Sequence, residues 1–338
     1  MKSLGVKYRP SDWESVVGQE SVVKILKQQV ITQTYKNAYI FSGASGSGKT
    51  TCARIFANEI NHYQGHPIEI DAASNNGVDN VRQISDNATA RALDAEYKIY
   101  IIDEAHALSN QAWQAFLKTI EETPKYTIFI FCTTDPQKIP DTIKNRCMRF
   151  NFTRIPSFQI KMRLEYVCQQ EGFTQYQDAC DYISRICRGE MRNALSLLET
   201  CADYSSDFSI DNVVKAIGNF SYTTYFNLTN SIIDGDLNRA LTIVNQIYND
   251  GNDLSYFVTT YLDFMMDVTK YIICQDISVT KLPVSEQDNL KFATGIDNAS
   301  KYYLYFVDKL LELKNMIRND SDVKSTVEVM ITQMCRLL

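Results

Sequence analysis

The stretch that most restricts what this chain can be is Gly43-Ala44-Ser45-Gly46-Ser47-Gly48-Lys49-Thr50, which fits the pattern G-x-x-x-x-G-K-[ST]. It stands between an apolar, β-rich run at residues 38–42 and a helical stretch at 51–60. That strand-loop-helix frame is what the pattern needs to wrap around phosphate, and a chance Gly/Ser-rich loop would not carry it. The glycines let the backbone fold closely, so that its N–H groups and the N-terminus of the next helix point inward at anionic oxygen. Lys49 then reaches the β- and γ-phosphates of a nucleotide, and the Thr50 hydroxyl holds Mg²⁺.

A second stretch, Lys98-Ile99-Tyr100-Ile101-Ile102-Asp103-Glu104-Ala105-His106, is an apolar strand that ends in an acidic pair. Alone, such a pair reads as a solvated strand end. Beside a phosphate loop, Asp103 falls next to the metal and Glu104 falls where it activates the attacking water. The string Asp103-Glu104-Ala105-His106 also matches the DEAH label of some helicases. Those need a second α/β half bearing further motifs, whereas this sequence turns helical.

Strand signals at 38–42, 67–70, 98–102, 127–132 and 148–152 alternate with amphipathic segments. In residues 111–122, Ala112, Phe116, Leu117 and Ile120 mark one helical face. This alternation predicts a mostly parallel sheet covered on both sides. After Pro156 the strand signals stop. Residues 157–217 read as short helices and 221–338 as longer ones, for example 236–249 and 301–318, punctuated by glycines and by Pro283. The expected organisation is an α/β domain at 1–156, a small helical domain at 157–220 and a terminal helical domain at 221–338.

With 338 residues, 45% of them hydrophobic, the chain can build more than one core. Its net charge of -6 rules out binding nucleic acid with the whole surface, so any such contact is a local patch or is shared among subunits. No apolar run approaches the length of a membrane span. The first ten residues have no apolar core after their first charge, so a signal peptide is not expected and the cytoplasm is. The nine cysteines include no C-x-x-C pair, and with three histidines nothing has the spacing of a zinc site. They read as scattered reduced thiols.

Once these motifs are placed, the residues around them resemble a known family. Tyr8-Arg9-Pro10, followed by Val16-Val17-Gly18-Gln19, is similar to an adenine-pocket segment. Glu69-Ile70-Asp71-Ala72-Ala73-Ser74-Asn75-Asn76-Gly77-Val78 resembles a second strand and its turn. Thr133-Thr134-Asp135-Pro136-Gln137-Lys138-Ile139-Pro140 resembles a sensor-1 stretch. Asn145-Arg146-Cys147 stands where the family has Ser-Arg-Cys, and Gly189-Glu190-Met191-Arg192-Asn193-Ala194-Leu195 resembles its sensor-2 helix. The family is the gamma/tau motor subunit of the bacterial DNA polymerase III clamp loader, an AAA+ ATPase with phage relatives. The match covers roughly residues 4–200 with the motifs in order. Residues 58–66 replace a four-cysteine zinc module usual in bacterial members, and Asn145 replaces a serine, which suggests a divergent member.

The resemblance implies an α/β AAA+ P-loop domain, then a small helical lid with sensor 2, then a C-terminal all-helical collar. It implies ATP and Mg²⁺ held by Gly43, Ser45, Gly46, Ser47, Gly48, Lys49, Thr50, Thr51 and Asp103, with Tyr8, Arg9, Pro10 and Val17 around the base. Glu104 would activate water with help from Lys49, Thr134 would sense the γ-phosphate, and Arg192 would reach it within the same subunit. Without that context Thr134 is an ordinary strand-end hydroxyl and Arg192 a surface arginine. Arg146 would act in trans on a neighbour's site; otherwise it is an interface ion pair. His106 reads as a packing and hydrogen-bonding residue, and Cys147 as structural filling. The implied partners are other clamp-loader subunits in a ring, a pentamer by resemblance, together with a sliding clamp and primer-template DNA. Asn76, Gly77, Val78 and Arg82 are the DNA-contact candidates. No membrane is implied.

Two other readings compete. A different AAA+ ring ATPase, such as a branch-migration motor or helicase loader, lacks support from the 69–78 and 133–140 strings. A structural scaffold that binds ATP without hydrolysing it would not need Lys49, Thr50, Asp103, Glu104 and Arg146 together. Elemental analysis of the purified protein is expected to find no stoichiometric zinc. One zinc per chain would overturn the reading of the cysteines.

Overall fold

Strands that are apolar along their whole length must be covered on both faces. In the computed structural model, which describes residues 3–218, 220–280, 282, 290 and 299–336, five strands form one parallel sheet. They are β1 (Ala38–Gly43), β2 (Ile68–Asp71), β3 (Lys98–Asp103), β4 (Thr127–Thr133) and β5 (Met148–Phe152), in the order β2-β3-β4-β1-β5. Four of them start where the sequence predicts. The exception, β2, starts one residue late, because Pro67 has no N–H to give to a ladder.

The two faces of the sheet carry different helices. Helices α1 (Leu4–Lys7), α2 (Glu20–Thr32) and α3 (Lys49–Ile60) are followed by α4 (Val78–Ala88), α5 (Asn110–Glu121), α6 (Asp141–Lys144) and α7 (Ser157–Glu171). Leu26 of α2 and Cys52, Phe56 and Ile60 of α3 pack with Tyr39, Phe41, Ile99, Ile101 and Ile130. The alternate strand residues Ile40, Tyr100, Ile102, Phe129 and Phe131 pack instead with Val81 of α4 and Ala112, Trp113 and Phe116 of α5. Period-two alternation thus splits each strand between two cores. The Ser109 side chain caps α5 by accepting from the Ala112 N–H. The buried stripe of α5 includes Trp113, which the sequence reading did not assign, while Leu117 is only half-buried.

The chain divides into two compact units, Met1–Val167 with Cys187–Ser196, and Cys168–Ile186 with Leu197–Leu338. The span expected as a lid, 157–220, is therefore divided. Backbone bonds tie 187–196 into the first unit: the Ile155 N–H donates to Gly189 O (3.1 Å) and the Met191 N–H to Gly46 O (3.2 Å). After α8 (Gln177–Ile186) and α9 (Met191–Tyr204), the second unit continues through α10 (Ile210–Ala216), α11 (Tyr222–Ile233), α12 (Leu237–Asn249) and α13 (Leu254–Cys274). It ends with α14 (Ala299–Met316) and α15 (Val323–Arg336).

Stacked rings form the centre of that unit. Tyr225 lies 5.8 Å from Phe257, 5.7 Å from Tyr261 and 5.0 Å from Phe264, centroid to centroid. The Tyr261 hydroxyl is satisfied inside this core by Thr229 at 2.8 Å. The helix expected at 301–318 is α14, closed by a 3₁₀ turn at Ile317–Asn319. Pro283 lies outside the described residues. Among the described residues, no helix is long and apolar enough to cross a membrane.

Strands β1 and β5 approach so closely at their ends that a Cβ on Gly43 would lie 2.2 Å from the carbonyl oxygen of Phe152. Backbone cannot yield there, so Gly43→Ala is expected to destabilise the first unit by about 1–3 kcal/mol. The readout is the urea midpoint of tryptophan fluorescence, because both tryptophans, Trp13 and Trp113, are buried in that unit. In α1 an added Cβ on Gly5 meets nothing within 4 Å. Gly5→Ala is accordingly expected to be neutral, or stabilising by up to about 1 kcal/mol. Equal midpoints for the two variants would refute the steric argument.

Candidate active site

The loop after β1 turns through left-handed backbone at Gly46 (φ 64°) and Gly48 (φ 98°), then enters α3 at Lys49. Three elements brace it. The Ser47 hydroxyl donates to Ala44 O (2.8 Å), and Gly46 O accepts from Met191. The buried Gln19 side chain donates to Ser47 O (3.3 Å) and to Thr153 O (2.7 Å), while accepting from the Thr153 N–H (3.1 Å). The loop is thereby held to the N-terminal segment and to the chain leaving β5.

Inside this cradle Lys49 is only 7% exposed, and its ammonium donates to Gly43 O (3.0 Å) and Ala44 O (2.8 Å). Burial pulls its pKa below the ordinary lysine value. A buried cation whose partners are carbonyls of its own loop is poised for an anion, and a bound phosphate would supply the missing counter-charge. Gly43 itself lies under the loop and takes part through its carbonyl.

Opposite the loop, the Thr50 hydroxyl donates to Asp103 Oδ2 (3.0 Å), and Asp103 Oδ1 accepts from the Glu104 N–H (3.0 Å). Among the described residues no three His, Cys, Asp or Glu side chains gather into a metal cage. Mg²⁺ does not need one, since it takes one or two protein oxygens and fills its octahedron with phosphate oxygens and water. The Thr50–Asp103 pair suits that demand.

Glu104 follows in the left-handed region (φ 47°, ψ 41°) and starts a 3₁₀ turn, Ala105–Ala107. Its carboxylate accepts from the Thr134 hydroxyl (3.4 Å) and lies 3.3 Å from His106 Nδ1, which is also 3.3 Å from the Thr133 hydroxyl. His106, read from sequence as a packing and hydrogen-bonding residue, makes polar contacts here, one of them to the carboxylate meant to activate water. Thr134 touches that carboxylate too, but does not line the cavity between loop and strand ends.

That cavity holds about 360 Å³. Its walls include Tyr8, Arg9, Pro10, Val17, Ser45, Gly46, Ser47, Gly48, Lys49, Thr50, Thr51, Asp103, Glu104 and Arg192. Val16, Ile155 and Leu195 extend its apolar side, and Arg54 and Arg163 add cations that the sequence reading passed over. Arg163 donates to Tyr8 O (3.0 Å), fixing the N-terminal wall. The pKa of Arg9 is lowered by burial first, then by the charges of Arg54 and Arg192. Glu69 of β2 holds Arg54 through two bonds, to Nε and Nη2, each 2.5 Å. The signal for Arg54 was its position one helical turn beyond Thr50. Gln19 stands in the 16–19 string that carries the resemblance, but its bracing role had no signal, because its partners are remote in sequence.

The remaining candidates lie elsewhere. Arg146 lines no part of this cavity; it donates to Thr142 O (2.8 Å), pairs with Glu121 (2.6 Å) and is about two-fifths exposed. Asn76, Gly77 and Val78 form the start of α4, where no side chain caps the helix, and Arg82 pairs with Asp79 at 3.2 Å.

Two family models match the chain: "DNA polymerase III, delta subunit" over residues 61–156, and "DNA polymerase III subunits gamma and tau domain III" over residues 208–337. DNA polymerase III subunit tau of Bacillus subtilis is 36% identical over 286 residues, which are 78% of this chain and 51% of that protein. DNA polymerase III subunit gamma of Buchnera aphidicola is 30% identical over 284 residues, 78% of each chain. The chain thus spans about half the length of the Bacillus relative and most of the Buchnera one. Among solved structures, the Thermotoga maritima RuvB Holliday junction branch migration motor matches with a TM-score of 0.53 at 18% identity. The match covers 73% of this chain and 86% of that one, and it supports the AAA+ fold alone. A phosphate loop, an acidic strand end, a C-terminal helical region matched by the gamma and tau family model, and relatives matched over 78% of the chain converge on one assignment: the chain belongs to the gamma/tau family of DNA polymerase III clamp-loader subunits.

Proposed function

We propose that this chain is an ATP-hydrolysing motor subunit that, in a ring with other clamp-loader subunits, opens a sliding clamp and loads it on primer-template DNA. The observation that carries the reading is the single cavity that brings Lys49, Thr50, Asp103, Glu104 and Arg192 together. In this reading residues 1–156 bind nucleotide, 157–220 form the lid, and 221–338 form the collar that holds the ring, in the cytoplasm of a bacterium or of a phage host.

ATP enters with its base against Tyr8, Pro10, Val16 and Val17 and its phosphates against the loop. Lys49 exchanges the carbonyls of Gly43 and Ala44 for phosphate oxygens. Thr50 and Asp103 are the residues that would hold Mg²⁺, which when bound would supply charge neutralisation at the phosphates. Glu104 takes the proton of the attacking water, and Arg192 steadies the terminal phosphate. Nucleotide drives a ring only by binding its ordered arrangement better than its relaxed one. The open N–H groups at the start of α4, near Asn76, Gly77 and Val78, with Arg82 one turn on, provide the track for DNA phosphates.

Lys49→Ala is expected to abolish ATP binding. Glu104→Gln is expected to keep ATP bound while stopping turnover, because Asp103 still holds the metal when the water-activating carboxylate is gone. Equilibrium binding beside a steady-state ATPase assay, with and without primed DNA, checks both. Wild-type turnover by Glu104→Gln would remove Glu104 from its assigned role.

Arg146 is proposed as the finger supplied to a neighbouring subunit. Its bond to Glu121 is exposed, and such pairs are worth only about 0.2–1 kcal/mol, little enough to be given up on assembly. Trans arginines in other phosphate-loop enzymes contribute about 10³–10⁵ in rate. A smaller loss is expected here, where ring ordering limits turnover. Arg146→Ala should retain ATP affinity but lose stimulated hydrolysis. Mixing it with Lys49→Ala subunits, which keep the finger but lack a working site, should restore part of the activity. Full activity of Arg146→Ala alone, or no recovery in mixed rings shown to form, would refute a shared site.

A further inference from the structure

Arg54 stands four residues after Thr50 on α3, so its side chain follows the same helical face one turn beyond the metal-holding hydroxyl. It lines the nucleotide cavity. Glu69 grips only one edge of its guanidinium, through Nε and Nη2, and among the described residues Nη1 has no hydrogen-bond partner. The bond from Glu69 keeps the pKa of Arg54 above its ordinary value despite burial, and Asp103 adds to the effect. A simple pin between α3 and β2 would explain the Glu69 bond. It would not explain why Arg9 and Arg192 crowd the same cavity, where Arg54 is the strongest of the charges opposing Arg9. Glu69 and Asp103 offset part of the repulsion among these cations, and an anion bound in the cavity would offset more of it.

We propose that Arg54 is a further nucleotide-binding residue, donating from Nη1 to the terminal-phosphate end of a nucleoside triphosphate, and that Glu69 is its positioning residue. The inference rests on the nucleotide reading above and deepens it: Arg54 discriminates triphosphate from diphosphate. The fork held by Glu69 keeps the remaining donors in a fixed plane, which an ammonium cannot copy. Glu69 lies on β2, whose end leads through residues 72–77 into α4. The state of the terminal phosphate therefore has a short covalent path to the segment proposed for DNA.

The test is isothermal titration calorimetry of the full chain with ATP and with ADP, each with Mg²⁺, read as the ratio of the two affinities. Arg54→Met is expected to weaken ATP by about tenfold or more and ADP by less than about threefold, the loss of one charge-assisted hydrogen bond at the terminal phosphate. Arg54→Lys should fall between wild type and Arg54→Met. Glu69→Gln should lower the ratio in the same direction with the tryptophan-monitored fold intact. An Arg54→Met protein that keeps the wild-type ratio, whether both affinities are unchanged or fall equally, overturns the proposal and leaves Arg54 a structural pin. Should Arg54→Met fail to fold, the Glu69→Gln ratio decides by the same criterion. If wild type binds neither nucleotide, the nucleotide reading fails first and this inference falls with it; if wild type binds both, only the inference is at stake.

Discussion

Because β1 runs parallel between β4 and β5, its C-terminal end emerges at the same edge of the sheet as the ends of β3 and β4, and the loop it feeds must turn there. Ligands of open α/β sheets collect at such carboxyl ends. The depth of that turn is set where Gly43 meets the backbone of Phe152, at a distance no side chain would allow. From that depth follow the carbonyls that hold Lys49 and the start of α3. So does the reach of Thr50 across β4 to Asp103, two strands away. Loosening this one contact would leave the residues in place along the chain but not in space.

Charge is arranged at two scales. The chain as a whole is acidic, with a net charge of -6, yet its nucleotide cavity gathers Lys49, Arg9, Arg54 and Arg192. Whole-chain acidity favours solubility and says little about any one concave site, where low-dielectric walls strengthen local fields. The cost of crowding these cations is visible in the lowered pKa of Arg9, where burial is the larger cause and the charges of Arg54 and Arg192 add to it; Lys49 is lowered by burial alone. The same reasoning covers the DNA track proposed at the start of α4: a local set of backbone N–H groups needs no basic surface.

Much of this was legible from residues alone. Strands β1, β3 and β4 are apolar along their length because both faces are covered, so their runs stand out. Thr50 and Asp103 were legible because each belongs to a motif of fixed spacing, and the fold joins them by a hydrogen bond. The roles of Gln19, Glu69 and Glu121 were not, although the first two stand in motif strings, since each acts through partners brought near only by folding: Thr153, Arg54 and Arg146. That His106 makes hydrogen bonds was legible; its partner was not, because nothing in a linear pattern shows that the turn at Glu104 folds it back on that carboxylate. The boundary of the first unit was hidden for a related reason. Residues 187–196 read as one more helical stretch, and only the bonds from Gly189 and Met191 reveal their allegiance.

The backbone at Glu104 carries one more consequence. A residue with a Cβ held in the left-handed region costs about 1–2 kcal/mol relative to ordinary backbone, and glycine would sit there without strain. Nothing in packing asks for glutamate at this position; its side chain is partly exposed and its contacts are polar. Thermal robustness and chemical competence therefore pull in opposite directions at this one residue. Laboratory evolution that rewarded only heat resistance would drift toward glycine here and, on the role proposed for Glu104, return a sturdier protein with an idle site.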